Sequence, residues 1–322
     1  MKRTKRIFSL LCMTAIVSLT HAQAQSGNIP DSTGLPGDNF SLEGAIEMFK
    51  KAGSVEEFEK MLNTESNNVN NLDLNNDGEI DYIKVIDKKQ GDVHAFVLQD
   101  AVSETENQDI AVIELEKTGN DNAVLQIVGD ADIYGEETII EPSGNNSDVS
   151  FVNTGRIIQN GPSASFNNED ENNGIIVNVW LWPCVRFVYA PAYVLWVSPW
   201  SWHARPIWWH PWRPVHYAVF YPRRVVYRPH YTVVRTNRII GARTMYRPTR
   251  VTSVTVRTRN QVTVNRYRTT RRTTTVVNPG RRNPQVQPRR TTTTTIQRNT
   301  NRRPVERRAA PARTTRKVNR RN

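Results

Sequence analysis

The chain has 322 residues, a formal net charge of +12 and two cysteines, Cys12 and Cys184. Because Cys12 lies in a predicted signal peptide, the mature chain has one cysteine, which excludes an intramolecular disulfide. Residues 26–174 carry 30 Asp and Glu against 8 Lys and Arg, whereas residues 175–322 carry 31 Lys and Arg against one acidic residue. This division predicts two regions with different physical roles.

Residues 1–24 have the pattern of a secretory signal peptide. Four basic residues among the first six precede an apolar run from Ile7 to Leu19, and Ala-Gln-Ala at 22–24 supplies the small residues of a cleavage site. An apolar run of about 13 residues is too short to span a bilayer as a helix. We expect cleavage near Ala24, a short linker at 25–37, and export to the periplasm, the outer membrane surface or the medium.

Residues 38–142 predict a small acidic α+β domain. Apolar residues at helical spacing over 42–49 predict one helix, and the capping box Ser-Val-Glu-Glu at 54–57 predicts the start of a second. Four β-rich segments follow at 80–87, 92–99, 109–116 and 123–128. The turns between them are short, which requires antiparallel neighbours. We expect two short helices packed on one face of a four-stranded antiparallel meander.

The sequence DLNNDGEID at 73–81 has the spacing of a calcium loop. The predicted ligands are Asp73, Asn75, Asp77, the carbonyl of Glu79, and Asp81. The pattern resembles the D-x-N-x-D-G-x-x-D loops of EF-hand and dockerin modules and of integrin-type propeller repeats. Lys84 stands where an EF-hand has a bidentate glutamate, and a strand follows, which favours the propeller-repeat style and a weak Kd of roughly 10⁻⁴ to 10⁻³ M. A polar turn before a strand is the alternative.

Residues 143–174, rich in Asn, Ser and Gly, predict a linker to an aromatic, proline-rich segment at 175–234 that holds all eight tryptophans. The predicted aromatic surface consists of Trp200, Trp202, Trp208, Trp209 and Trp212. Such side chains stack on sugar rings or bases and anchor at lipid headgroups. The alternative is a cluster that buries itself or docks on the acidic domain. Four histidines of this segment match no compact metal-ligand spacing: His203, His210, His216 and His230.

Residues 235–322 contain 24 Arg, one Lys and one Glu among Thr, Asn and Pro, and predict a disordered tail because they offer little apolar surface. The alternating stretch 251–264 predicts a strand on contact with a partner. Arginine suits bidentate contact with phosphate or carboxylate groups. The predicted contacts to an anionic partner are Arg223, Arg224, Arg271, Arg272, Arg289 and Arg290. Lipopolysaccharide phosphates, nucleic acid, anionic glycans and the protein's own acidic half all fit.

The chain contains no nucleophile elbow, P-loop, dinucleotide-binding or HExxH motif, and we predict no enzymatic activity. A lone histidine on a predicted strand, His94, is expected to be structural. The layout of signal peptide, acidic domain, aromatic segment and basic tail resembles uncharacterised exported proteins of Gram-negative bacteria, which implies residence in the envelope or outside the cell. We predict a non-catalytic envelope or surface protein with a calcium-stabilised domain, whose basic half adheres to anionic surfaces. The alternative is an extracytoplasmic nucleic-acid-binding protein of a biofilm matrix.

Overall fold

The structure is a computed structural model that describes residues 29–144, 150–151 and 176–276. The predicted signal peptide, most of the predicted linker at 143–174, and residues 277–322 lie outside the described residues.

Two helices open the acidic domain, as predicted. The first, α1 (Leu42–Lys51), begins at Ser41, whose hydroxyl accepts the amide of Gly44 at 3.0 Å. The second, α2 (Val55–Leu62), begins at Ser54, whose hydroxyl accepts the amide of Glu57 at 3.1 Å. The Glu57 carboxylate accepts the amide of Gly53 at 2.7 Å, one residue before the position that a capping box uses. Both helix starts therefore follow from local side-chain chemistry.

A six-stranded antiparallel sheet follows the two helices, so the predicted α+β class is confirmed and the strand number is corrected. Its first four strands form the predicted meander: β1 (Ile83–Gln90), β2 (Val93–Ala101), β3 (Asn107–Gly119) and β4 (Asn122–Gly129). The next strand, β5 (Thr138–Pro142), pairs with β4 after a short helix, α3 (Ala131–Tyr134). Two short strands, β6 (Ser150–Phe151) and β7 (Val177–Asn178), form a separate pair.

The sixth strand, β8 (Tyr231–Val234), comes from the aromatic segment and pairs with β5 at the edge of the sheet. The predicted meander does not include this strand, because its Tyr-Thr-Val-Val sequence is short and follows no alternating pattern. A strand of this kind is specified by the edge that it joins rather than by its own sequence.

One face of the sheet packs on α1, α2 and α4 (Pro183–Val188). The ring of Phe49 lies 5.2 Å from that of Phe58 and 5.1 Å from that of Phe96, so α1, α2 and β2 meet at one aromatic contact. Cys184 of α4 is buried in this core, as its apolar neighbours predict. The aromatic segment therefore contributes a helix to the main core.

The other face of the sheet is covered by α6 (Ile240–Tyr246), which lies in the segment predicted to be disordered. Its residues Ala242 and Tyr246, with Ile239, pack on apolar side chains of the sheet. These are Ala95, Val97, Val112, Val128 and Ile139. The prediction of disorder over 235–322 is therefore wrong for 235–276, because the sheet supplies the apolar surface that this segment lacks. Residues 277–322 lie outside the described part of the chain.

The remaining elements connect and extend these layers. They are α5 (Tyr217–Arg224), α7 (Val254–Val276) and short 3-10 helices at Pro36–Asn39, Glu65–Asn67, Val225–His230 and Arg247–Thr249. Of the predicted strand over 251–264, residues 254–264 instead form the start of α7. The Ser253 hydroxyl accepts the amide of Val256 at 3.1 Å, and Val256 and Val264 are buried, so a cap and two inward contacts support helix.

Candidate functional site

The loop that carries the calcium prediction leads into β1 and is closed on its own amides. The Asp73 carboxylate accepts the amides of Asp77 and Gly78 at 3.2 and 3.0 Å. Asn75 Oδ1 accepts the amide of Asp77, and Asp77 Oδ1 accepts the amide of Glu79, both at 2.8 Å. Gly78 has φ of +86°, a conformation that glycine adopts without steric penalty. The predicted side-chain ligands therefore turn toward the loop backbone.

The ninth position of this loop is buried. Asp81 accepts the amide of Leu74, and burial raises the pKa of its carboxyl to about 7, with the charges of Asp73 and Asp77 acting in the same direction. Asp100 of β2 is also buried, and its pKa is raised by burial and by Asp81. Among the residues that the structure describes, no group of three or more His, Cys, Asp or Glu side chains is arranged to hold a metal ion. Calcium binding stays a prediction.

The aromatic segment docks on the acidic domain along the outer edge of β1. The amide of Asp87 donates to the carbonyl of Trp196 at 2.8 Å, and the amide of Ser198 donates to the carbonyl of Val85 at 3.0 Å. Residues 196–198 thus extend the sheet beyond β1. Of the alternatives for this segment, docking on the acidic domain is the one observed.

Glu59 of α2 joins the helix, the strand and the aromatic segment at one buried carboxylate. It accepts the Tyr82 hydroxyl at 2.9 Å, the Val85 amide at 2.8 Å, the Trp196 indole N–H at 3.0 Å and the Ser198 hydroxyl at 2.9 Å. Burial raises the pKa of Glu59, and the four donors oppose that rise. Nothing in the sequence distinguished this glutamate from its exposed neighbours, because its partners are distant in the chain.

His94 belongs to a second buried polar cluster under the same segment. Its Nδ1 lies 3.0 Å from both carboxylate oxygens of Asp87, which also accepts the Tyr193 hydroxyl at 2.7 Å. The imidazole stacks on Phe96 and meets Tyr189 edge-on. Complete burial among these partners agrees with the expected structural role.

The five tryptophans of the predicted aromatic surface differ in exposure. Trp209 is 9% exposed and packs edge-on against Tyr82 with ring centroids 5.2 Å apart. Trp208 is 43% exposed, and the Lys60 ammonium lies 5.5 Å from its ring centroid. The other three are partly buried: Trp200, Trp202 and Trp212. The structure therefore leaves Trp208 as the exposed member of the set.

Arginines of the basic half form ion pairs with the acidic domain. Arg250 pairs with both oxygens of Asp130, one of them at 2.7 Å, and with Asp132 at 2.9 Å. The Asp130 side chain is 2% exposed, and pairing with it raises the pKa of Arg250. Further pairs are Arg228 with Glu43, Arg238 with Glu141, Arg243 and Arg247 with Glu137, and Arg257 with Asp132.

The arginines predicted to contact an anionic partner have different environments. Arg223 is exposed on α5, whereas the Arg224 guanidinium donates to the carbonyls of Gly37 and Phe40 at 3.3 and 3.1 Å. Arg271 pairs with Glu136 at 2.5 Å. The side chain of Arg272, together with Arg289 and Arg290, lies outside the described residues. Arg224 and Arg271 thus serve contacts within the fold.

The described part of the chain is close to electrical balance. Residues 29–144 and 176–276 together contain 26 Asp and Glu against 24 Lys and Arg. Residues 277–322 contain 14 Lys and Arg against one acidic residue, Glu306. Outside the predicted signal peptide, the excess positive charge of the chain therefore lies in residues 277–322.

Within the described ranges, the helices lack the combination of length and hydrophobicity that crossing a membrane requires. No protein-family model, curated protein or solved structure matches the chain. The function proposed below therefore follows from the geometry and the charge of this chain alone.

Proposed function

We propose that this protein is a non-catalytic, exported envelope or surface protein that binds phosphate-bearing envelope components through residues 277–322. The supporting observation is the charge balance. The fold that includes Arg228 to Arg271 is nearly neutral, whereas residues 277–322 have an excess of 13 positive charges. A surplus of positive charge concentrated in one segment attracts polyanions electrostatically.

Lipopolysaccharide phosphates are the partner that fits an exported, arginine-rich segment best. The segment 277–322 has 13 arginines and one lysine, and the guanidinium fork binds phosphate oxygens in pairs. Binding to a polyanion releases counterions, so its affinity falls steeply with salt. Nucleic acid offers similar phosphates and is the alternative partner.

The experiment compares the full mature chain with a chain that ends at Val276. We expect the full chain to bind vesicles that contain lipopolysaccharide with a steep salt dependence, and the shortened chain to lose most of that binding. A full chain whose arginines after residue 276 are replaced by glutamine is the matched control for length, and should behave like the shortened chain. Undiminished binding by the shortened chain would contradict the proposal. Tighter binding to DNA than to these vesicles at matched salt would favour the nucleic-acid alternative.

We also propose that the loop at 73–81 binds calcium weakly. The support is its ligand spacing and the convergence of the Asp73 carboxylate and Asn75 Oδ1 on the amide of Asp77, with the Asn75 side-chain amide donating to the Asp77 carboxylate. Calorimetric titration of the full chain should give heat with a Kd of roughly 10⁻⁴ to 10⁻³ M. Asp77→Ala should abolish that heat, and Asp92→Ala, in an exposed turn, should retain it. If the folded wild-type chain gave no heat on titration with calcium, the loop would be a polar turn and not a calcium site.

A further inference from the structure

A tight turn at 206–209 presents an apolar corner to solvent. The amide of Trp209 donates to the carbonyl of Pro206 at 3.0 Å, which places Ile207 and Trp208 at the two central positions. Pro206 is buried and Trp209 is 9% exposed, whereas Ile207 is 96% and Trp208 43% exposed. Turn corners normally carry Gly, Asn, Asp, Ser or Pro, so an exposed Ile-Trp pair at this place calls for a physical reason.

The base of the turn is fixed to the core of the protein. The Trp209 ring packs edge-on against Tyr82 at 5.2 Å, and the Tyr82 hydroxyl donates to the buried carboxylate of Glu59. The Arg205 guanidinium lies 5.9 Å from the ring centroids of both Tyr82 and Trp209. The corner is therefore held outward by packed side chains, and ordering it on contact with a partner costs little conformational entropy.

A second exposed apolar stretch lies beside the same anchor. Val194, Leu195 and Val197 are 82%, 47% and 61% exposed on the segment that extends the sheet past β1. The indole of Trp196, between them in sequence, donates to Glu59, the carboxylate that also accepts the Tyr82 hydroxyl. The turn at 206–209 and the stretch at 194–197 therefore flank one buried residue.

Cations accompany this apolar surface. Arg205 packs at the base of the turn, and the Lys60 ammonium lies over the exposed Trp208 ring. An anionic bilayer interface accommodates both features, since apolar side chains enter the acyl boundary, Trp stays among the headgroups and cations meet phosphates. A second copy of the chain would instead bring like charges together.

We propose that the turn at 206–209, together with 194–197, docks on the surface of an anionic lipid bilayer. Ile207 enters the acyl boundary, Trp208 lies at the headgroups, and Lys60 contacts lipid phosphates. This attachment uses the folded part of the chain and needs no residue of 277–322, so it goes beyond the function proposed above.

The test is co-sedimentation of the full mature chain with vesicles of phosphatidylethanolamine and phosphatidylglycerol. At about 1 M salt the Debye length is about 3 Å, which suppresses binding by exposed arginines and leaves apolar contact. Ile207→Asp should weaken partitioning about tenfold or more, because it removes an isoleucine side chain from the acyl boundary. The matched control is Val262→Asp on α7, which adds the same charge at a side chain 69% exposed, and should partition like wild type.

Ile207→Lys separates apolar contact from charge, because it adds a cation while it removes the apolar group. We expect it to weaken partitioning at high salt as Ile207→Asp does. Wild-type chain that fails to sediment at high salt, equal partitioning of wild type and Ile207→Asp, or an equal loss with Val262→Asp would overturn the proposal. Lipid-independent dimers that Ile207→Asp dissolves would also overturn it in favour of a second copy. Loss of low-salt binding on removal of 277–322 bears on the earlier proposal and leaves this one unaffected.

Discussion

At the residue scale, buried carboxylates of the acidic domain serve as hydrogen-bond acceptors for the chain that wraps around it. Glu59 accepts four donors, from Tyr82 just before β1, from Val85 of β1, and from Trp196 and Ser198 of the aromatic segment. Asp109 of β3 plays the same part for the basic half, since it accepts the Tyr246 hydroxyl at 3.0 Å and the Val251 amide at 2.8 Å. Each carboxylate joins segments more than a hundred residues apart, so its removal affects the packing of the whole fold.

Glu59→Ala should lower the free energy of unfolding by about 3 to 5 kcal/mol, because it leaves buried donors without an acceptor. Urea denaturation monitored by tryptophan fluorescence measures this loss. Glu56→Ala, on an exposed position of the same helix, should change stability by less than about 0.5 kcal/mol. Equal effects of the two substitutions would mean that the Glu59 contacts contribute no stability.

Glu114 gives a pH dependence whose sign is fixed by burial. Burial raises the pKa of this glutamate from its ordinary value of 4.5 to about 7, against an opposing hydrogen bond from Asn237. The folded state therefore binds a proton more tightly than the unfolded state, and the associated stability is present below pH 4.5 and lost as pH rises through about 7.

Glu114→Gln should remove this contribution because the amide does not titrate. Relative to the variant, the wild type should lose about 2 to 3 kcal/mol of unfolding free energy between pH 4.5 and pH 8. Urea denaturation of both proteins across that range gives the difference. A difference that is constant with pH would show that Glu114 titrates normally in the fold.

At the element scale, the two faces of the sheet are covered by different parts of the chain. α1, α2 and α4 cover one face, and α6 covers the other. The segment after α6 is tied down by Arg250, which pairs with Asp130 and Asp132 around α3. The fold thus brings Arg250 of the basic half next to Asp130 and Asp132 of the acidic domain.

Arg250→Ala should cost about 3 kcal/mol of unfolding free energy, because it leaves the Asp130 carboxylate, 2% exposed, without its counter-charge. Arg257→Ala is the matched control. Its side chain is 54% exposed and pairs with the same Asp132, so its loss should cost less than about 1 kcal/mol. Chemical denaturation at one salt concentration measures both. A larger effect at Arg257 would contradict the assignment of the buried pair.

Elements whose own sequence carries a cap or an apolar pattern could be predicted. Elements that form only against another part of the fold could not. Helices α1 and α2 have serine caps and apolar faces, and β1 to β4 have alternating or β-branched runs between short turns. By contrast, α6 forms because Val97, Val112 and their neighbours offer a partner face, and β8 forms because the edge of β5 offers a strand to pair with. The docking of Trp196 on Glu59 likewise joins residues 137 apart, a separation that local patterns do not report.

At the scale of the whole molecule, two regions of opposite charge form one folded unit. The partner that the sequence suggested for the basic half includes the protein's own acidic domain, and this pairing is present for residues 228–271. Apart from the buried pair of Arg250 with Asp130, the ion pairs across the join are individually modest, and the apolar cover of the second sheet face by α6 adds to them. The ion pairs therefore add to an interface between the two regions that apolar packing also stabilises.

Native-state hydrogen exchange of the full mature chain tests this join most directly. We predict that amides of α6 and β8 are protected to within about 1 to 2 kcal/mol of those of β3, because all three belong to one cooperative unit. Exchange of α6 and β8 at the rate of an unstructured chain, while β3 remains protected, would contradict it. That result would mean that the basic half is not part of the folded unit, and that α6 does not cover the second face of the sheet.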